Sequence, residues 1–259
     1  DITLAYVFGA NTPYASSQTG VNFNLPFKKF SLDFDITEKY TYNAYYDDTL
    51  GSSYFTTEFT FSIPYMLYKS DFTNDLILSP FTTARFITNT DVFTNPEIGG
   101  GIELTSSNIN WIKNFRKGFS QETYFSIFNA LISKDIQTEI QFESNIFSPF
   151  SHFAVNTRIV AFYNFLETDT KPLGKYMRGI LDTEKYTTKA AVINLDIPIS
   201  LFTTDWRKLK LPSITQYADF ELQASPFIDA AICSSDTMYH VTSGIEIIVY
   251  PLKMRSIQV

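Results

Sequence analysis

Period two runs through almost the whole chain. From Asp135 to Glu143 the odd positions are Asp135, Gln137, Glu139, Gln141 and Glu143, and the even ones are Ile136, Thr138, Ile140 and Phe142. An extended segment with that pattern has one polar and one apolar face. Phe30, Leu32, Phe34 and Ile36 alternate in the same way with Lys29, Ser31, Asp33 and Asp35, and Val21, Phe23, Leu25 and Phe27 with Asn22 and Asn24. Further on, Phe55, Thr57, Phe59, Phe61 and Ile63 oppose Tyr54, Thr56, Glu58 and Thr60, and Ile98, Ile102 and Leu104 oppose Glu97, Gly101 and Glu103. In the last third, Ala191, Ile193, Leu195, Ile197 and Ile199 oppose Asn194 and Asp196, and Phe220, Leu222 and Ala224 oppose Asp219, Glu221 and Gln223. Helical periodicity is nearly absent, and the pattern predicts about a dozen strands.

Strands of about 9 to 11 residues, joined by turns such as Pro26-Phe27-Lys28-Lys29 and Pro251-Leu252-Lys253, predict an all-β antiparallel meander rather than βαβ units. A soluble sandwich would alternate too, so the content of the polar face decides between the two. Here charge recurs at strand centres as well as strand ends. A sheet closed in a bilayer turns its apolar face to lipid and its polar face to a wet lumen, and about 10 tilted residues cross the hydrocarbon. The expected fold is therefore an antiparallel transmembrane β-barrel. Tyr40-Thr41-Tyr42-Asn43-Ala44-Tyr45-Tyr46 and Tyr65-Met66-Leu67-Tyr68 stand near strand ends, where interfacial aromatic girdles lie. In a soluble protein the same clusters would be core packing. Met254 to Val259 reads as the start of another strand, so residues 1–259 are expected to form one barrel domain that is incomplete at its C-terminal end.

Composition narrows the function. The chain is 44% hydrophobic and 17% aromatic, with 25 Phe and 16 Tyr, which is too apolar for disorder. Its 20 basic and 27 acidic side chains leave a net charge of −7, with Lys and Arg scattered, which argues against a nucleic-acid partner. Cys233 is the one cysteine, so no internal disulfide or Cys-rich metal site is expected, and His152 and His240 stand far apart. No run approaches the roughly 18 apolar residues of a spanning helix. There is no Gly-x-Ser-x-Gly elbow, phosphate loop or His-containing metal spacing, so neither catalysis nor a cofactor is expected.

One segment breaks the meander. Asn164 to Thr188, 25 residues, shows no strand alternation, and a loop that long is usually functional or disordered. In its middle stand Met177, Arg178, Gly179 and Ile180, and downstream come Phe227, Ile228, Asp229, Ala230 and Ala231. Together these resemble two motifs of the bacterial surface antigen superfamily, the outer-membrane assembly and secretion barrels that include BamA, TamA and FhaC. In that family a long loop folds into the lumen, carries hydrophobic-Arg-Gly-aromatic at its tip, and pairs the Arg with the Asp of a Phe-x-Asp-x-Gly strand. Met177, Arg178 and Gly179 match the first motif, with Ile180 in the aromatic place; Phe227 and Asp229 match the second, with Ala231 in the Gly place. The order also matches: loop motif, a strand from Lys189 to Leu201, the Phe-x-Asp strand, then the Gly-containing strand Ser243 to Tyr250. Strand parity adds a separate argument, because Asp219, Glu221, Gln223, Ser225, Phe227 and Asp229 share one face, which puts Asp229 on the polar side. Alone, an Arg-Gly dipeptide is a solvated loop feature and an Asp on a strand is a surface residue. Glu139, Glu221 and Glu246 are other polar-face acids open to Arg178.

The resemblance implies a 16-stranded barrel, here without its closing strand, preceded by polypeptide-transport-associated modules and located in the bacterial outer membrane. It implies insertion of outer-membrane proteins, or passage of a polypeptide across the membrane, without a chemical step. The implied partners are outer-membrane lipid, unfolded outer-membrane or secreted polypeptides, and accessory assembly proteins. A porin-like small-solute channel would share every pattern except the Arg178 and Asp229 motifs. The barrel tail of a patatin-type phospholipase would share those as well, and a soluble β module stands further off.

Overall fold

The computed structural model of the chain describes residues 2–11, 14–47, 51–69, 75–89, 93–166, 170–180, 185–204, 219–234 and 239–251. Strands dominate: β1 (Ile2–Asn11), β2 (Tyr14–Pro26), β3 (Ser31–Asp47), β4 (Gly51–Ser62), β5 (Tyr65–Lys69), β6 (Asp75–Asn89), β7 (Phe93–Ile112), β8 (Phe115–Ala130) and β9 (Ile136–Pro149). They are followed by β10 (Ala154–Asn164), β11 (Lys171–Pro172), β12 (Tyr186–Thr187), β13 (Lys189–Asp196), β14 (Ile199–Thr203), β15 (Phe220–Cys233) and β16 (Tyr239–Pro251). One 3-10 turn, Leu173–Lys175, is the helical element among the described residues. The turn expected at Pro251 to Lys253 and the strand expected from Met254 run outside the described residues.

The main sheet is a meander in which neighbours follow the order β1-β2-β3-β4-β6-β7-β8-β9-β10-β13-β15, with β16 on β15, β5 on β6 and β14 on β15. β4 pairs residues 81–89 of β6 and β5 pairs residues 75–78, so the two are halves of one strand position. β13 and β14 likewise take successive stretches of β15. Both breaks fall at an Ile-Pro step, Ile63-Pro64 and Ile197-Pro198, because proline has no N–H to give to a ladder. The fourteen strands of this sheet thus fill twelve positions among the described residues, which matches the dozen read from the alternation.

The chain packs into two compact units, Asp1–Ser106 with Glu122–Gln141 and Asn164–Asp169, and Ser107–Gln121 with Phe142–Tyr163 and Thr170–Val259. In the first, the apolar rows are the exposed ones: Phe23, Leu25, Phe34, Ile36 and Phe59 all face outward. Their rings meet across strands, as Phe34 and Phe61 do with centroids 4.7 Å apart, in the manner of cross-strand pairs. The polar face pairs its charges internally. Arg85 donates Nε to Glu58 at 2.9 Å and Nη1 to Glu97 at 3.3 Å, and stands 5.6 Å from the centre of the Phe128 ring. Thr60 and Thr83 hydroxyls meet at 3.0 Å, and Asn22 donates to Asp35 at 2.6 Å.

The second unit shows the inversion most sharply. On β15 and β16, Ile245 is 70% exposed and Ile232 68%, whereas Gln223 is 1% exposed and Asp229 not at all. Glu221, buried on the same face, accepts hydrogen bonds from Asn114 and from Gln223 Nε2. A sheet in water buries its apolar face and wets its polar one; this sheet does the reverse, as a strand wall in lipid must.

The alternation on β9 gives a direct test. In a Cys233→Ser background, cysteines placed at Gln137, Glu139 and Gln141 should react with a water-soluble maleimide in proteoliposomes, while those at Ile136, Ile140 and Phe142 should be spared. Ile140→Arg should cost about 2–4 kcal/mol if the site lies near the bilayer midplane, read from unfolding in lipid. The opposite labelling pattern would mean a soluble core.

Candidate functional site

The described residues of the segment between β10 and β13 are joined by their own backbone hydrogen bonds. β11 pairs with β12 as a two-stranded neck, Lys171 opposite Thr187 and Pro172 opposite Tyr186, and Leu173 N–H donates to Lys185 O at 2.8 Å. Beyond the neck the chain turns tightly, with Tyr176 and Met177 N–H groups both donating to Leu173 O at 2.9 and 3.1 Å. Thr187 Oγ1 donates to Lys189 O at 2.8 Å, tying the returning end to β13.

The turn is held down by apolar burial. Leu173, Tyr176 and Met177 pack with Val160, Phe162, Ala190, Val192, Ala231 and Cys233, and Ile180 lies against the same cluster. Tyr176 and Phe162 rings approach to 5.1 Å, and Asn194 Nδ2 donates to Tyr176 O at 3.0 Å. The otherwise polar inner face of β10, β13 and β15 therefore carries one apolar seat, and burying three side chains of this size is worth several kcal/mol.

That seat delivers Arg178 to a group of carboxylates. Asp229 accepts three hydrogen bonds from it: from the backbone N–H at 2.9 Å, from Nε at 2.9 Å and from Nη2 at 2.6 Å. Nη1 donates to Asp196 at 2.5 Å and to Glu246 at 3.1 Å. The guanidinium also lies 3.8 Å from the centre of the Phe227 ring, within cation–π range. Hydrogen bonding to Asp229, then to Asp196 and Glu246, raises the Arg178 pKa above its ordinary value against the opposing effect of burial, so the group is a fixed cation. The fork of a guanidinium fits a carboxylate in two places at once, which fixes direction as well as contact.

Two glycines shape the site. Gly179 has φ of +79°, a left-handed conformation that favours glycine and turns the chain immediately after the arginine. Gly244 sits opposite Phe227 in the β15–β16 register, and a Cβ there would stand 2.8 Å from the Phe227 ring. Its bare backbone lets the ring lie close to β16 and offer a face to Arg178. Around the cluster a cavity of about 580 Å³ is lined by the loop tip from Gly174 to Ile180 and, facing it, by Trp111, Arg116, Phe147, Arg158, Gln223 and Tyr250.

Of the residues singled out from sequence, the structure brings together Met177, Arg178, Gly179, Ile180, Phe227, Asp229 and Glu246. Glu221 belongs instead to the pair with Asn114. Glu139 lies on β9 in the other unit. Asp196 as a partner, Gly244 as the gap for Phe227, and the apolar seat were not anticipated. Asp196 shares a face with Asn194 by parity, and Ala190 and Val192 are apolar residues on that same face, a departure from alternation that marks the seat.

No protein-family model matches the chain, and no curated protein does. Solved structures do. BamA from Haemophilus ducreyi lacking POTRA domains 1–3 superposes with a TM-score of 0.59 at 11% identity, over 95% of this chain and 58% of that one. CdiB from Acinetobacter baumannii superposes with a TM-score of 0.57 at 9% identity, over 92% of this chain and 44% of that one. The chain has the antiparallel transmembrane β-barrel fold of the BamA and CdiB type, and it spans about half the length of these two structures.

Burial ranks the three acids. Asp229 is fully buried, whereas the side chains of Asp196 and Glu246 are 27% and 45% exposed. Limited proteolysis of the 164–188 segment should therefore accelerate most in Asp229→Asn, less in Asp196→Asn and least in Glu246→Gln, since the attraction of Arg178 for a carboxylate is screened less the less water reaches that carboxylate, and Asp229 also accepts three of the hydrogen bonds. Equal sensitivity across the three would contradict this account of the site.

Proposed function

We propose that this chain is the membrane barrel of a protein that inserts outer-membrane proteins or moves polypeptide across the bacterial outer membrane, with residues 164–188 as a loop that enters the lumen and is locked there by Arg178. The observation that carries this reading is the convergence of Arg178 on Asp229, with Asp196 and Glu246 beside it. A loop arginine left to water gains nothing from such a place. One held by three hydrogen bonds to a buried carboxylate keeps its loop in a single geometry. The likeness in fold to BamA and CdiB supports the same reading. Such a barrel works by holding and releasing chain segments, so its partners are unfolded polypeptides, outer-membrane lipid and accessory assembly proteins, and no covalent step is required of it.

Removing the arginine leaves the fully buried Asp229 carboxylate without its cation, which commonly costs about 3–5 kcal/mol, whereas removing Asp229 takes away the buried anchor and leaves Arg178 to the more exposed Asp196 and Glu246. Arg178→Ala or Asp229→Ala should therefore lower assembly or translocation activity and free the loop, while the barrel still resists unfolding by heat in detergent. The double variant should be little worse than either single one, because the two share one interaction. Exchanging the charges, Arg178→Asp with Asp229→Arg, should restore part of the activity. Single variants with wild-type activity and wild-type protease resistance would remove the lock from the mechanism. A large, steady conductance that ignores these substitutions would favour a solute channel.

A further inference from the structure

One arrangement of turn, strand break and ring occurs twice in the chain. Each copy opens with Pro-Phe-x-x-Phe between two strands, at Pro26–Phe30 after β2 and at Pro149–Phe153 after β9. Phe27 N–H donates to Phe30 O at 2.8 Å and Phe150 N–H to Phe153 O at 2.7 Å. The two rings of each turn stack with centroids 4.7 Å apart, at 16° in the first copy and 15° in the second. The next residue, Ser31 or Ala154, donates its N–H to the proline that breaks the neighbouring strand, Pro64 at 3.0 Å or Pro198 at 2.9 Å. The isoleucine before that proline donates to the middle of a Ser-Pro-Phe sequence one strand further on, Pro80 or Pro226, at 3.0 Å in both copies.

The correspondence continues past the break. β5 and β14 are both five residues long, and both shift register at the same place, between Met66 and Tyr68 and between Ser200 and Phe202. The ring of each Ser-Pro-Phe lies against a glycine of the following strand: a Cβ would stand 2.8 Å from the Phe81 ring at Gly101 and 2.8 Å from the Phe227 ring at Gly244. Agreement in hydrogen bonds, breaks and ring geometry together is that of a repeated unit. The site beneath Arg178 is thus one copy of a module whose other copy, at Phe81, is covered by the Tyr124 ring at 5.4 Å instead of by a loop.

The shared outward feature is the pair of stacked rings. Phe27 and Phe150 are 54% and 52% exposed, and by parity they continue the outward rows of Phe23 and Leu25 on β2 and of Ile140 and Ile146 on β9. They are continuous with the lipid-facing wall and stand where its strands end, the depth at which aromatic rings are favoured. The copies differ in charge. The first turn holds Lys28 and Lys29, both exposed, where the second holds Ser151 and His152. Lys69, at the far end of β5, stands opposite Asp75 in the β5–β6 register.

We infer that the two Pro-Phe-x-x-Phe modules are a duplicated membrane-interface anchor, seated at the boundary between headgroups and acyl chains, and that the first copy selects anionic headgroups through Lys28 and Lys29. This rests on the barrel fold and is independent of what passes through the barrel. Nitroxides placed at Phe27→Cys and Phe150→Cys in full-length Cys233→Ser protein test it in liposomes of phosphatidylcholine with and without phosphatidylglycerol. Collision with a water-soluble nickel chelate should be several-fold lower at both sites than at an exposed turn residue, Ser133→Cys, and collision with oxygen lower than at Ile140→Cys. Adding phosphatidylglycerol should lower chelate access further at residue 27 and not at 150, and Lys28→Gln with Lys29→Gln should abolish that response. Chelate access equal to that of residue 133 at both sites would overturn the anchor. Immobilisation of the label at residue 27 only on addition of unfolded outer-membrane polypeptide would also overturn it, and would make the surface a polypeptide dock. An identical response to anionic lipid at both sites would overturn the selectivity.

Discussion

A backbone inside hydrocarbon has no water to turn to, so each of its N–H and C=O groups must be met by the neighbouring strand. That constraint explains the meander of paired neighbours, the long strands and the outward rows of Phe and Ile that would be a liability in a soluble sheet. It also dictates how interruptions are handled. The Ile-Pro steps at Ile63-Pro64 and Ile197-Pro198 each remove a donor, and at both places the proline carbonyl still receives an N–H from the adjacent turn while the isoleucine donates to the next strand. The breaks change the course of the strand while these donors and acceptors stay bonded to neighbours.

With the apolar side turned outward, the inner face becomes the place where charge has to be settled among neighbours. Arg85 is shared between Glu58 and Glu97 in one unit, and Arg158 grips Glu143 with two hydrogen bonds at 2.9 and 3.0 Å in the other. These pairs join residues of strands and brace the wall. Arg178 is different in kind, because it arrives from a connecting segment, and the strands present three acids to one cation. Its binding couples a loop to the wall, and the coupling is as strong as the exclusion of water around Asp229 makes it.

The loop does not depend on that ion pair alone. Leu173, Tyr176 and Met177 supply burial that carries no directional demand, and Asn194 supplies one hydrogen bond to the turn. Apolar contact brings the tip to the wall and the guanidinium fork sets its register. Phe227 serves both purposes by giving the cation a flat face to rest on, a role open to it because Gly244 stands directly across the ladder.

The number of strand positions, the face each residue takes and the polar side of Asp229 are legible in the amino-acid order, because a period of two is a local property that survives any choice of neighbours. The loop motif and the strand motif are legible too, as short strings in a given order. The resemblance pairs Arg178 with Asp229 and parity leaves Glu139, Glu221 and Glu246 open to it, but that Asp196 joins and that only Glu246 of the other acids does was not legible, since Asp196, Asp229 and Glu246 become neighbours only through the pairings of β13, β15 and β16. The repeated Pro-Phe-x-x-Phe turns were printed in the sequence at Pro26 and Pro149, yet loops of unequal length separate their later parts, and only hydrogen bonds between distant residues reveal them as copies. Local periodicity is enough to specify the wall and its two faces, whereas what meets across it comes from the folded chain, because side-chain partners in a meander are set by register and loop return.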